Sequence, residues 1–174
     1  PDDPAAVSRW CDESVTVPPP ATDLLGYRDA LLELAARDDV VTILPVRQQD
    51  PYVLAQYRAA FEPHVSLPVP DAETLWTVHD RLELAAAAEA AGVPTAETRP
   101  LSEDPTPDTD VIVKSRYNVL ADAYCADRSP GECDVVKDIH HLRPGDEVDA
   151  AAIREAMGHD PIVQEYVHAD GEFM

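Results

Sequence analysis

Residues 40–46, Val-Val-Thr-Ile-Leu-Pro-Val, constrain the fold of this chain more than any other segment. A charge-free apolar run of this length, set between two helical patterns, is what a buried strand of a parallel sheet requires. On its N-terminal side, residues 23–37 place Leu24, Leu31, Leu34 and Ala35 at helical spacing, with Thr22 positioned to cap them. On its C-terminal side, Asp50-Pro51 opens a second helix through about Phe61, with proline at the first helical position, where its missing N–H is harmless. Short segments at 14–17 and 65–69 complete a β-α-β-α-β order, which implies a parallel sheet with right-handed crossovers. No Gly-x-Gly-x-x-Gly fingerprint accompanies it, so nothing here supports a dinucleotide site.

The second half has a different rhythm. Residues 71–78 read as a short helix, and residues 80–91 as a longer alanine-rich one that ends at Gly92; Asp80 with Glu83 resembles a capping box. Residues 100–110 are a loop or linker. Val111-Ile112-Val113-Lys114 is a buried-type strand ending in a lysine, and residues 135–142 suit another strand. Residues 149–157 form a helix stopped by Gly158, and residues 162–167 a final strand. No internal repeat or low-complexity tract is present.

The 174 residues are enough to bury a core, and 45% of them are hydrophobic. There are 34 acidic residues against 13 basic ones, a formal charge of -21, so free nucleic acid and anionic membranes are excluded as partners. Only Lys114 and Lys137 are lysines. Acid excess with so little lysine suggests a surface adapted to high salt, where the Debye length falls to roughly 3 Å near 1 M and self-repulsion is screened. Cys11, Cys125 and Cys133 have no disulfide-framework spacing, which indicates a reducing, cytoplasmic setting. Nor do Cys125, Cys133, His140 and His141 match a common zinc pattern, so no protein metal ligand is expected. There is no membrane-length apolar stretch and no signal peptide.

The closing residues carry most of the functional signal. In Ile162-Val163-Gln164-Glu165-Tyr166-Val167 an apolar strand runs into an acid, an aromatic and a valine, and Glu172 follows seven positions after Glu165. That layout suits a purine nucleoside slot, with backbone groups of 165–167 on the adenine edge and Glu172 on the ribose hydroxyls. An ordinary strand and turn would give Ile162, Val163 and Val167 the same look.

Taken in order, Asp80-Arg81, Ala91-Gly92-Val93-Pro94-Thr95, Val111-Ile112-Val113-Lys114 and the closing strand with Glu172 resemble the ATP-grasp superfamily. The nearest branch is that of carboxylate–amine (or thiol) ligases and carbamoyl-phosphate-synthase-like enzymes. The likeness implies an α/β fold: a parallel-sheet pre-ATP-grasp domain at 1–78, lacking its first strand, then the first part of an ATP-grasp α+β domain at 79–174. It implies that Arg81 and Lys114 reach the ATP phosphates, that Glu165, Tyr166 and Val167 contact adenine, chiefly through backbone, that Gln164 takes a position where the family varies, and that Glu172 holds the ribose. Charge-assisted bonds of this kind give a polyanion a foothold on a strongly acidic protein.

Two departures accompany the likeness. Ser115-Arg116-Tyr117-Asn118-Val119-Leu120-Ala121-Asp122 stands where the family commonly has a glycine-rich loop, with Arg116 or backbone amides as replacements. The Mg²⁺ ligands of the family lie well beyond its ribose carboxylate, so they are expected after residue 174, in a longer enzyme of which this chain is a piece. The implied reaction is phosphoryl transfer from ATP to a small-molecule carboxylate, followed by amine attack on the acyl phosphate, with ADP and phosphate as products. No catalytic residue is assigned, and the isolated chain is expected to bind ATP weakly and catalyse nothing. The alternative is a nucleotide-binding regulatory module with a degenerate grasp. The identities of carboxylate and amine are open, as is oligomeric state, a homodimer included.

Overall fold

A computed structural model describes residues 4–103 and 107–168 of the 174, and they form a mixed α/β structure. The helices are α1 (Leu24–Ala35), α2 (Gln49–Gln56), α3 (Arg58–Phe61), α4 (Ala72–His79), α5 (Arg81–Ala90) and α6 (Ala150–Met157). The strands are β1 (Thr98–Pro100), β2 (Val111–Lys114), β3 (Leu120–Ala121), β4 (Cys133–Asp134), β5 (Ile139–Leu142) and β6 (Ile162–Glu165). Four of them form a wholly antiparallel sheet in the order β1-β6-β2-β5, and β3 pairs with β4.

The parallel sheet expected in the first 70 residues is not formed among the described residues. Segments 14–17, 40–46 and 65–69 build no ladder; the last two meet at one parallel bridge, Thr42 to Ser66. Ser66 N donates to Val41 O at 3.0 Å and Thr42 Oγ1 to Ser66 O at 2.8 Å. The reason lies in the cover. Val40 and Ile43 pack on the helices, but Val41, Leu44 and Val46 are 75%, 69% and 90% exposed, and Pro45 has no N–H to give a ladder. A strand of a parallel sheet needs both faces covered; this segment has one.

The helices largely follow their local signals, with shifted starts. The cap of α1 is Asp23 rather than Thr22: Asp23 Oδ1 accepts from Gly26 N at 2.9 Å, while Thr22 belongs to the preceding turn, its N–H bonded to Pro19 O. The second helix breaks at Tyr57 into α2 and α3, and begins at Gln49, so Pro51 sits inside its first turn. Asp50 folds back instead, accepting from Val46 N and Arg47 N at 2.8 Å each and from Tyr27 Oη at 2.7 Å. Asp71 caps α4 through Thr74 N at 2.8 Å. The box expected of Asp80 and Glu83 is half built. Asp80 Oδ1 accepts from Leu82 N at 3.0 Å, but the Asp80 N–H goes to Trp76 O because α4 and α5 abut. Gly92 and Gly158 end α5 and the last helix at φ 69° and 70°, and Asp149 caps α6 through Ala152 N.

Two cores result. The larger gathers Leu24, Tyr27, Val53, Leu54 and Phe61 with Val119, Ala121 and Cys133 from around β3 and β4. The smaller lies on one face of the sheet, where Leu101, Val111, Val113 and Val163 meet Ala150 and Ile153 of α6. Strand alternation places Ile112, Lys114, Gln164, Thr98 and His141 on the opposite face. Among the described residues no helix is long and apolar enough to cross a membrane.

Candidate nucleotide-binding face

The sheet face opposite α6 bears Lys114, and Arg81 at the start of α5 lies close enough to lower its pKa. Lys114 ends β2, and its Nζ donates to Gln164 Oε1 of β6 at 2.7 Å. Arg81 opens α5; its backbone N–H donates to Arg116 O at 3.0 Å and its Nη1 to Ser115 O at 2.7 Å. Burial pushes both cations below their ordinary pKa, and the charge of Arg81 lowers Lys114 further. Neither touches a carboxylate among the described residues. Arg28, Arg37, Arg58, Arg116, Arg128 and Arg154, by contrast, each reach one. In a chain of charge -21, two neighbouring half-buried cations without acids are the exception.

The residues around them are tightly held. Asp80, fully buried, takes Arg116 in a forked pair, Nε at 2.9 and 3.0 Å and Nη2 at 2.6 Å. Arg116, the residue that stands where the family has a glycine-rich loop, is therefore paired to Asp80. His159 fastens the same segment from the far side: its Nδ1 bonds Met157 O at 2.8 Å, and its Nε2 accepts from Arg116 N at 3.1 Å. That pairing fixes the neutral tautomer, and burial lowers the His159 pKa.

The closing residues divide. Gln164 joins Lys114, and Tyr166 continues the same face two residues on, its ring stacked on His141 at 4.5 Å and edge-on to His168 at 4.9 Å. His168 Nε2 lies 3.3 Å from the Asp110 carboxylate, and His141 Nε2 4.0 Å from it. The Glu165 side chain takes the other face, with Val163 and Val111, and its carboxylate lies 3.4 Å from Glu97 N. Glu165 and Lys114 therefore do not share a face through their side chains. Nor is the whole 165–167 backbone open to a base: Glu165 N donates to Glu97 O at 2.9 Å and Tyr166 N to Asp110 O at 3.0 Å. Val167, exposed past the strand end, makes no such bond among the described residues. Glu172 lies outside the described residues.

Two recesses flank the face. One of about 580 Å³ runs between α5 and β1, lined by Leu82, Ala85, Ala86, Glu89 and residues 92–98, with no cation among them. A smaller one of about 330 Å³ lies at the end of β6, where Glu97, Arg99, Thr109, Asp110, Glu165, Tyr166 and His168 converge. Among the described residues no group of His, Cys, Asp or Glu is arranged to hold a metal ion. Thr98, His141 and His159 had no signal in the sequence: β1 is three residues long and ends in proline, and the two histidines acquire their roles from strand register and a helix stop. The chain matches no family model and no curated protein.

Proposed function

We propose that the sheet face opposite α6 binds the triphosphate and base of ATP, as part of an ATP-grasp ligase that activates a carboxylate for attack by an amine. The observation that carries the reading is the pair Arg81 and Lys114, unneutralised at one end of the face that also bears the Tyr166–His141 stack. Asp110, whose carbonyl accepts from Tyr166 N, immediately precedes β2 and lies four residues before Lys114, roughly 13 Å at strand rise. A nucleoside triphosphate laid along β2 spans that distance, its base beside Tyr166 and Val167, its phosphates toward Arg81. The Val167 N–H, without a backbone partner among the described residues, is a donor for the base edge. Ile112 lies between the two ends.

An antiparallel sheet backed by α6 supports the grasp part. The free thiols of Cys11, Cys125 and Cys133 support a reducing, cytoplasmic setting. The Mg²⁺ that accompanies ATP would take its protein ligands from other residues than the described ones, among which no group of His, Cys, Asp or Glu is arranged to hold a metal ion. The pinned 115–117 segment favours a second reading, a nucleotide sensor without turnover, because a phosphate-covering loop has to move and this one is tied at Asp80 and His159.

Calorimetric titration with ATP in molar KCl tests the binding. Arg81→Ala and Lys114→Ala should each weaken it roughly 10- to 100-fold, the range of a charge-assisted bond. Affinity should be full below the depressed Lys114 pKa and fall as pH rises through it. Unchanged affinity in both variants sinks the reading.

A further inference from the structure

Lys114 is held by an amide in a chain that has acids to spare, and that amide is itself held. An ammonium only donates, so the Gln164 oxygen must face Lys114 Nζ. The amide nitrogen then faces Thr98 Oγ1, to which it donates at 2.8 Å. Thr98 in turn gives its hydroxyl hydrogen to Ala96 O at 2.9 Å. Each donor in this series has one acceptor, and the amide cannot flip without setting its NH₂ against the ammonium. The series crosses from β1 through β6 to β2, so the sheet itself sets the direction of the Lys114 ammonium.

We infer that Gln164, oriented by Thr98, is a positioning residue that aims the Lys114 ammonium without neutralising it, leaving the full charge of the Arg81–Lys114 pair for an oligophosphate. This rests on the nucleotide reading above and adds to it the requirement that position 164 be uncharged. A glutamate there is the same size and would sit at the same distance from Nζ. It would cancel the lysine's charge, and its second oxygen would face the Thr98 hydroxyl oxygen.

The test is titration of the chain with inorganic tripolyphosphate and with ATP, in wild type, Lys114→Ala, Gln164→Glu, Gln164→Met and Thr98→Val. Melting curves show which variants are folded. Gln164→Glu should bind both probes about tenfold more weakly at an unchanged melting temperature. It should also move the Lys114 titration upward, as an opposite charge at contact does. With only two lysines in the chain, Lys114 is readily assigned in a side-chain NMR titration. Gln164→Met and Thr98→Val, which remove the aim without adding charge, should lose roughly threefold and keep a Lys114 pKa below that of Gln164→Glu. A merely structural role would lower melting temperature and leave binding per folded molecule and the lysine titration as in wild type. If Lys114→Ala binds tripolyphosphate like wild type, the nucleotide reading itself fails. If Lys114→Ala is weak but Gln164→Glu and Thr98→Val both match wild type, only the positioning role is overturned.

Discussion

Residues 40–46 and Val111–Lys114 are both apolar and both extended, yet one becomes the inner strand of a sheet and the other keeps a single bridge. Val111–Lys114 has β6 on one side, β5 on the other and α6 on its apolar face; its buried and half-buried residues alternate. Residues 40–46 have Ser66 on one edge and helices beneath. The difference is partnership rather than composition: an apolar segment is a strand only where other strands reach it, and hydrophobicity alone does not say whether they do.

Three perturbations sharpen that contrast. The most damaging should be Asp80→Ala, which strips the partner from Arg116 where the chain leaves β2 and removes the cap of α5. Breaking a buried pair costs about 3–5 kcal/mol, read as a lowered urea midpoint, and Asp80→Asn, which keeps a cap, should recover part of it. Next is acid. His79, buried beside Tyr124 with neither ring nitrogen hydrogen-bonded among the described residues, is held down to about 4 from 6.5 by burial, helped by the charge of Arg81. The unfolded chain therefore takes the proton first. Stability from this group is complete above pH 6.5, falls as pH drops toward 4, and levels off below, a loss of about 3 kcal/mol. His79→Phe should flatten that part of a pH–stability curve, and a curve no flatter than wild type removes His79 from the account. Smallest is the direct comparison: Val113→Ala should cost about 2 kcal/mol, while Val46→Ala, 90% exposed, should change stability by less than about 0.5. Equal losses would mean that residues 40–46 are covered in solution.

What the sequence disclosed follows from how local each signal is. Asp80 precedes an alanine-rich run and caps it as read, because a cap is decided within four residues; Asp71 and Asp149 cap their helices in the same way. Thr22 lost to Asp23 by one position, a contest between two adjacent acceptors that neighbouring turns decide. Strands were legible where apolar runs were long, as at Val111–Lys114 and Ile162–Glu165. They were invisible where pairing alone makes them, as at Thr98–Pro100 and Cys133–Asp134. For the site, Arg81 and Lys114 were singled out by the family resemblance, Lys114 also by the rarity of lysine, and the structure joins Lys114 to Gln164 with Arg81 near enough to lower its pKa. Register, which no local pattern encodes, turned the Glu165 side chain to the other face and set Tyr166 on His141.

The stop of α6 at Gly158 has a consequence beyond ending a helix. A methyl group on this residue would project to 3.2 Å from Arg128 Nη2, and Arg128 holds Asp134 at 2.6 Å. The bare α-carbon thus leaves room for a guanidinium from the loop between β3 and β4, and lets that loop lie close against the neighbouring helix end. The smallest side chain available sets how near two otherwise separate pieces of the molecule can come.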